Sequence, residues 1–271
     1  MPTERRLLVT LVFFHAHPDD EAISTAGTMA LASDAGHRVV LVVATKGEEG
    51  EVDDGFLDVG ETLEERRVAE TEAAADLLGV DRIEFLGYRD SGMMDTPEND
   101  NPVSFWRTDV DEAAARLADV LVEESADVLT VYDDHGGYGH PDHIQVHRVG
   151  HRAAQIAGTP RVYEATMNRD RIHEMRGALG NADGDDSGST DAVFERIGTP
   201  DIEISAAVDV SAVLDRKRAA MAAHPSQIAS DSWFFRLPTD AFRSAFGTEW
   251  YNRTRPVFEG SVPDDRDAHL L

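Results

Sequence analysis

Two short segments of the chain concentrate histidine and aspartate at spacings that suit a divalent metal ion. The first is His15-Ala16-His17-Pro18-Asp19-Asp20-Glu21, and the second is His140-Pro141-Asp142-His143. Catalytic zinc takes three nitrogen or oxygen ligands from the protein and leaves a fourth position for water. Because His17 and Asp20 are three residues apart, they share one face on the first turn of a helix. We therefore predict a metal site formed by His17, Asp20 and His143.

The residues beside these ligands suit hydrolysis of an amide. A bound metal ion lowers the pKa of its water towards about 7 and polarises a substrate carbonyl. Asp19 is the candidate general base, and His140 is the candidate proton donor to a leaving amine. Asp142 is expected to orient the His140 imidazole, as carboxylates commonly do for histidines. Tyr138, which is flanked by glycines, is expected to move in and hydrogen-bond the oxyanion.

Both segments follow stretches that we predict to be buried strands, because their residues are continuously apolar and too few for a helix. The predicted strands cover residues 7–15, 37–44, 82–86, 128–132 and 161–166, with a further candidate at 203–210. The predicted helices cover residues 19–35, 110–124, 142–157 and 212–223, and one more helix begins with a capping box of Thr62 and Glu65 and ends before Gly79.

Alternating strands and helices indicate an α/β fold, a Rossmann-like and mainly parallel sheet with helices on both faces. Such sheets bind ligands at the carboxyl ends of their strands, which is where both segments lie. We interpret residues 1–271 as one domain. Residues 180–191 are rich in Gly, Asp and Ser and are expected to form a solvated, mobile loop. The tail after Thr239 shows no pattern that assigns it.

The composition restricts the partners and the location. The chain has 271 residues, a formal net charge of −27 and no cysteine, and its only lysines are Lys46 and Lys217. This charge disfavours nucleic acid and anionic membranes as partners, and an acidic, lysine-poor composition is typical of proteins kept soluble in high salt. No apolar run approaches the roughly 20 residues of a membrane span. We expect a cytoplasmic protein whose partner is a small molecule; a homo-oligomer is compatible with the sequence.

The two His/Asp segments resemble those of a known family, the PIG-L/LmbE-like zinc N-deacetylases. Beyond the two His/Asp segments, the resemblance covers most of the chain. It rests on Thr45-Lys46-Gly47-Glu48-Glu49-Gly50-Glu51, Arg67 with Glu70, Arg89-Asp90-Ser91-Gly92-Met93, residues 132–143, and Ala223-His224-Pro225-Ser226-Gln227. The branch it is most similar to contains the N-acetylglucosaminyl-inositol deacetylase and mycothiol S-conjugate amidase.

The resemblance implies an LmbE-like fold and removal of an acyl group, usually acetyl, from an amide nitrogen of an N-acetylglucosamine-type substrate. It implies Zn²⁺ on His17, Asp20 and His143, with Asp19 as the base and His140 and Tyr138 assisting. Arg67 and Asp90 match family positions that hold hydroxyls of the sugar or inositol. An S-conjugate amidase of the same family remains an alternative. Residues 180–210 do not align with the family pattern, so the substrate stays open.

Three other functions compete with this interpretation. Two histidines and a carboxylate also describe a non-haem Fe(II) oxygenase, with His17, Asp19 and His143 as its triad; Fe²⁺ also fits the hydrolase ligands. A non-catalytic metal or sugar binder is disfavoured by the intact Asp19, His140 and Tyr138. A dinucleotide enzyme is disfavoured because no G-x-G-x-x-G follows the first strand.

The remaining histidines favour structural roles. His15 ends a buried strand and is expected to be a packed, hydrogen-bonded residue, while His224 is equally compatible with a pocket and a helix end. Glu21 suits the start of a helix, where a negative charge is favourable. His147 and His151 are four residues apart on one predicted helix, but the sequence offers them no nearby carboxylate, so we do not predict a second metal site there.

Overall fold

The strands and helices follow the predicted alternation closely. The computed structural model describes residues 8–179, 197–255, 267 and 269–270. Its strands are β1 (Thr10–His15), β2 (Arg38–Val43), β3 (Arg82–Phe85), β4 (Val128–Tyr132), β5 (Arg161–Thr166), β6 (Ala206–Asp209) and β7 (Thr248–Arg255). Its helices are α1 (Asp20–Ser24), α2 (Ala26–Asp34), α3 (Leu63–Leu78), α4 (Val110–Glu123), α5 (Gly136–Gly139), α6 (Pro141–Ala157), α7 (Arg169–Leu179), α8 (Leu214–Ala222), α9 (Trp233–Arg236) and α10 (Thr239–Phe246). The predicted loop at 180–191 lies outside the described residues.

The seven strands form one sheet in the order β3-β2-β1-β4-β5-β7-β6. The first five are parallel, and β7 runs antiparallel to both β5 and β6. The predicted mainly parallel α/β fold is therefore confirmed. The chain continues from β1 to β2 on one side and later returns to β4 on the other side of β1, so the strand order reverses at β1. A crevice for ligands is expected outside the carboxyl ends of β1 and β4.

Two apolar layers sandwich the sheet. Alternate residues of β1 point to opposite faces, so Phe13 packs with the helices α1, α2, α3 and α8, whereas Phe14 packs with α4 and α6. Because both faces are covered, β1 and β2 are apolar along nearly their whole length. Among the described residues, no helix has both the length and the apolar composition that a membrane crossing requires.

The predicted helix over residues 19–35 is wrong in one respect, because it is broken into α1 and α2 at Thr25. Thr25 has φ −133° and ψ 2°, which is outside the helical region. The cause lies more than 200 residues away in β7, where the Glu249 carboxylate accepts hydrogen bonds from the backbone N–H groups of Gly27 and Thr28. A buried carboxylate is favourable at the start of a helix, so Glu249 gives α2 an N-terminus of its own.

The predicted start of α3 is confirmed in detail. The Thr62 hydroxyl accepts from the backbone of Glu65, and the Glu65 carboxylate accepts from the backbone of Thr62. Gly79 ends the helix with a positive φ of 74°. In the C-terminal tail that the sequence left unassigned, Thr239–Phe246 form α10 and Thr248–Arg255 form β7, which lies between β5 and the edge strand β6.

Candidate metal centre

The turn after β1 holds two of the predicted ligands close together. The backbone N–H of His17 donates to Asp20 Oδ2 at 2.9 Å, which fixes the carboxylate against the turn. The same oxygen lies 3.4 Å from His17 Nδ1. Both residues therefore point their donor atoms to one place at the carboxyl end of β1, and His17 is buried there.

The start of α6 brings the third predicted ligand to the same place. His143 Nε2 lies 3.4 Å from the other oxygen of the Asp20 carboxylate, Oδ1. Pro141 begins α6 and His140 caps it, so His143 sits on the first helical turn with its side chain turned towards the crevice. The Tyr132 ring stacks on the His143 imidazole with 4.3 Å between ring centroids. The structure thus brings together residues that are more than 120 positions apart in the chain.

These donor atoms suit a bound divalent cation. Ligands about 2.0–2.1 Å from a tetrahedral zinc lie roughly 3.3–3.4 Å from one another, and the Asp20 oxygens lie at that distance from both imidazoles. His143 Nε2 is buried and, within the described part of the chain, makes no hydrogen bond. A buried nitrogen without a hydrogen bond is costly unless another partner takes its lone pair. One nitrogen of His140 lies in the same cluster, within 4.8 Å of those of His17 and His143.

The Asp142 carboxylate contacts a different histidine from the one we predicted. Its Oδ2 lies 3.2 Å from His17 Nε2 and also accepts from the backbone N–H of Ser91, while the Ser91 hydroxyl donates to Oδ1. The contact of Asp142 with His140 is made by the backbone instead: the Asp142 N–H donates to His140 Nδ1 at 3.1 Å. Because a carboxylate only accepts, Nε2 donates to Asp142, and the lone pair of Nδ1 can bind a cation once Nδ1 has lost its proton.

The charges around His17 favour a cation. Burial opposes protonation of His17, but Asp90, Asp142 and Asp20 outweigh burial and raise its pKa well above the usual range. Asp90 Oδ1 lies 3.6 Å from His17 Nε2 and accepts from the Gly92 backbone at 2.9 Å. Burial raises the pKa of Asp90, yet His17 lowers it more, so the net direction is downward. The same carboxylates that attract a proton to His17 attract a metal ion.

Asp19, the predicted base, lies in a strained turn. Its φ is 96°, in a region that non-glycine residues rarely occupy and that occurs most often at functional sites. Its backbone N–H donates to Glu21 Oε2 at 3.0 Å, and His224 Nε2 lies 2.7 Å from the other oxygen of Glu21. Burial raises the pKa of the Asp19 carboxyl to about 6, although Arg67 lowers it. A carboxylate with this pKa is suited to proton transfer near neutral pH.

Arg67, which we predicted to contact the substrate, donates hydrogen bonds to backbone carbonyls of the protein. Nη1 donates to the Gly47 carbonyl and Nη2 to the Pro18 carbonyl, both at 2.6 Å, and Nη2 lies 3.5 Å from Asp19 Oδ1. Arg67 is only 4% exposed. The guanidinium therefore joins the turn after β1 to the loop after β2.

Tyr138 lies at the rim of the site, between glycines whose backbone conformation other residues rarely adopt. Gly136, Gly137 and Gly139 all have positive φ, at 65°, 68° and 97°. The Tyr138 ring is half exposed, and its centroid lies 5.0 Å from that of His143. Burial raises the pKa of its hydroxyl, so the phenol keeps its proton and can donate a hydrogen bond.

Sequence reasoning missed two supports of this centre, the Glu21–His224 pair and the bond between Ser91 and Asp142. His224 belongs to the Ala-His-x-x-Gln stretch, so the motif identified the residue but not its partner. His15 has the structural role that we expected: its Nδ1 lies 2.8 Å from the Tyr132 hydroxyl and its Nε2 2.8 Å from the Thr25 hydroxyl. This arrangement fixes the end of β1 directly before the ligands.

A cavity of about 450 Å³ opens beside the loop after β2. It is lined by polar and acidic residues with one aromatic ring, among them Glu51, Asp53, Phe56, Ser226 and Gln227. Gly50 separates this cavity from Arg67 and has no room for a side chain. A Cβ on Gly50 would lie 2.7 Å from Arg67 Nη1 and 2.8 Å from Gln227 Oε1. The lining offers many acceptors to a ligand rich in hydroxyl groups.

Comparison with known sequences gives one family and several closely similar proteins. Residues 12–154 match the PIG-L family model, which is described as GlcNAc-PI de-N-acetylase. The chain is 44% identical over 256 residues to a 1D-myo-inositol 2-acetamido-2-deoxy-alpha-D-glucopyranoside deacetylase of Acidothermus cellulolyticus, covering 89% of this chain and 87% of that protein. It is 42% identical over 299 residues to the deacetylase of the same name from Streptomyces griseus, covering 100% and 89%.

Solved structures share the fold at low identity. N,N'-diacetylchitobiose deacetylase from Pyrococcus horikoshii has a TM-score of 0.62 and 20% identity, with 94% of this chain and 87% of that one covered. The 4-carboxy-2-hydroxymuconate hydratase GalB from Pseudomonas putida has a TM-score of 0.60 and 19% identity, with 94% and 100% covered. A deacetylase and a hydratase thus share this fold, so the fold alone does not fix the reaction.

Proposed function

This chain belongs to the PIG-L family, and from that premise we propose that its substrate is 1D-myo-inositol 2-acetamido-2-deoxy-alpha-D-glucopyranoside. As a family member with these relatives, the chain is a metal-dependent amide hydrolase that removes an acetyl group from the nitrogen of an N-acetylglucosamine-type substrate. The proposal adds three points: the identity of the substrate, the identity of the metal and the role of each residue. The substrate is supported by relatives of similar length whose names contain it.

The observation that supports the proposal is that the Asp20 carboxylate lies between two histidines, with Oδ2 3.4 Å from His17 Nδ1 and Oδ1 3.4 Å from His143 Nε2. We assign Zn²⁺ to these three ligands, because two imidazoles and a carboxylate with 3.4 Å between neighbouring donors match zinc chemistry; Fe²⁺ also fits them. When bound, such a cation supplies a polarised acetamide carbonyl and a water of lowered pKa. All other steps belong to side chains of the chain itself.

Asp19 is assigned as the general base. Its carboxylate accepts a proton from the attacking water, and the Glu21 bond to its backbone N–H holds the turn in place. Since its pKa is near 6, the carboxylate is mostly ionised at neutral pH and still basic enough to accept the proton.

His140 and Tyr138 are assigned to the carbonyl oxygen of the amide, and the proton that Asp19 accepts from water passes to the leaving nitrogen. His140 Nδ1 accepts from the Asp142 backbone, so the proton of the neutral imidazole lies on Nε2, where it can donate a hydrogen bond to the developing oxyanion. Burial lowers the pKa of His140 to about 3, so the imidazole is neutral at pH 7 and keeps this proton. The Tyr138 hydroxyl donates a hydrogen bond to the carbonyl oxygen as negative charge develops there. Cleavage of the C–N bond then releases acetate and the free amine.

The second candidate is an S-conjugate amidase of the same family, which uses the same chemistry on a thiol-derived amide. A release assay separates the two. The protein is incubated with the N-acetylglucosaminyl inositol and, separately, with thiol-derived amide conjugates, and acetate and amine are measured while the metal content of the same sample is determined. We expect acetate release from the inositol substrate, its loss with a chelator and its recovery with zinc. Faster cleavage of the thiol conjugates would overturn the substrate assignment, and activity that survives chelation would overturn the metal assignment.

A further inference from the structure

A second cluster of ligand-type side chains lies one and two turns further along α6. His147 and His151 are four residues apart and project on the same side of the helix. Their rings lie 4.5 Å apart between centroids. The tertiary structure places Glu164 of β5 against both of them, which corrects the sequence interpretation that no carboxylate lies nearby.

Both imidazoles converge on one oxygen atom. Glu164 Oε1 lies 2.8 Å from His151 Nε2 and 3.3 Å from His147 Nδ1. One nitrogen from each ring and one oxygen of Glu164 all lie within 4.8 Å of one another. Two imidazoles and a carboxylate at this separation are the ligand set of many zinc sites, with ligand atoms roughly 3.3–3.4 Å apart around the ion.

The nitrogen of His147 that faces Glu164 also faces the main chain. His147 Nδ1 lies 3.1 Å from the Tyr132 carbonyl oxygen and 3.3 Å from Glu164 Oε1. Because both neighbours are acceptors, Nδ1 carries the ring proton when no cation is bound. A cation coordinated by Nδ1 takes the place of that proton, since a histidine must be deprotonated at the nitrogen that binds the metal.

The cluster is accessible to ions but not fully exposed. The side chains of His147, His151 and Glu164 are 21%, 28% and 13% exposed. The cluster is therefore open to solvent, which can supply a water molecule as a fourth ligand. The net charge of −27 adds a general attraction for cations.

We propose that His147, His151 and Glu164 form a second site for a borderline divalent transition metal ion such as Zn²⁺, separate from the catalytic centre. An ion bound there joins α6 to β5.

The test is a count of tightly bound zinc per full-length chain. Protein stripped with a chelator is reloaded with Zn²⁺ at high salt, which screens the diffuse attraction of the acidic surface, and metal is measured after removal of weakly bound ion. We expect two equivalents in the unmodified chain. His151→Gln and Glu164→Gln, which lie on different elements, should each bind one equivalent, and both should keep deacetylase activity. His173→Gln, an exposed histidine on α7, is the matched control and should bind two.

The catalytic centre is counted separately with His143→Gln, which should also bind one equivalent. If the unmodified chain binds one equivalent and His151→Gln still binds one, the second site does not exist, whereas the proposed function is untouched. If His143→Gln loses no zinc but His151→Gln does, the catalytic assignment fails and the second site stands. Zinc should also raise the melting temperature of His143→Gln more than that of the His143→Gln/His151→Gln double variant; equal shifts would overturn the proposal.

Discussion

His17 Nε2 lies 3.2 Å from the Asp142 carboxylate, although the two residues are 125 positions apart in the chain. Asp142 is completely buried and receives two further hydrogen bonds from Ser91. The Asp142 carboxylate therefore fixes the His17 imidazole through Nε2, and the other ring nitrogen, Nδ1, faces Asp20. This contact makes the orientation of one proposed metal ligand, His17, depend on the segment that supplies another, His143.

Asp142→Asn should weaken zinc binding by about 10- to 100-fold, as is typical when the partner of a ligating histidine is changed. The physical reason is loss of the negative charge that polarises the His17 imidazole. The measurement is competition against a chromophoric chelator. Asp134→Asn, a change of the same kind at an exposed position nearby, should leave zinc affinity unchanged. Equal affinities for the two variants would contradict the role of Asp142.

Asp19→Ala should retain its zinc and lose about 10²- to 10⁴-fold in kcat, which is the usual contribution of a positioned general base. The Asp19 carboxylate lies 3.5 Å from Arg67 Nη2, and the bond that holds its turn is made by the Asp19 backbone N–H to Glu21 Oε2, so metal binding should survive removal of the Asp19 side chain. Steady-state acetate release with metal analysis of the same sample checks both statements. A near-normal rate would remove Asp19 from the role of base.

Arg67→Lys distinguishes two roles for the same residue. The structure ties both terminal nitrogens to the carbonyls of Pro18 and Gly47, and a lysine cannot make these two bonds at once. If Arg67 positions the Asp19 turn, kcat should fall by about tenfold or more, since small displacements of catalytic groups are costly, while KM changes little. If Arg67 instead holds a substrate hydroxyl, KM should rise with a smaller effect on kcat.

Lys217→Met should lower the free energy of unfolding by about 3–5 kcal/mol, because it leaves the Glu249 carboxylate buried without its cation. Lys217 is 1% exposed and its Nζ lies 2.6 Å from Glu249 Oε1. The only other lysine is a natural control: Lys46 pairs with Glu64 at 3.8 Å with both side chains about 40% exposed, and Lys46→Met should cost less than about 1 kcal/mol. Urea denaturation measures both. A loss below 1 kcal/mol for Lys217→Met would show that the pair is not needed.

The sequence determined those features that depend on neighbours in the chain. Periodicity and apolar runs located β1 to β6 but not β7, and the capping box at Thr62 placed the start of α3 to the residue. The three-residue spacing of His17 and Asp20 predicted that they lie together, but the expected first helical turn is wrong, because α1 begins only at Asp20 and His17 lies in the turn before it. These features are local, because caps and turns are satisfied by atoms within a few residues.

Only the tertiary structure decided which distant groups meet. Glu249 breaks the first predicted helix from 222 positions away, the Asp142 carboxylate turns to His17 instead of His140, and Glu164 of β5 supplies the carboxylate that His147 and His151 lack on their own helix. The physical reason is common to all three. A buried or half-buried carboxylate must find donors or a cation wherever the sheet order places them, and a sequence shows the spacing of residues along the chain but not which strand ends lie side by side.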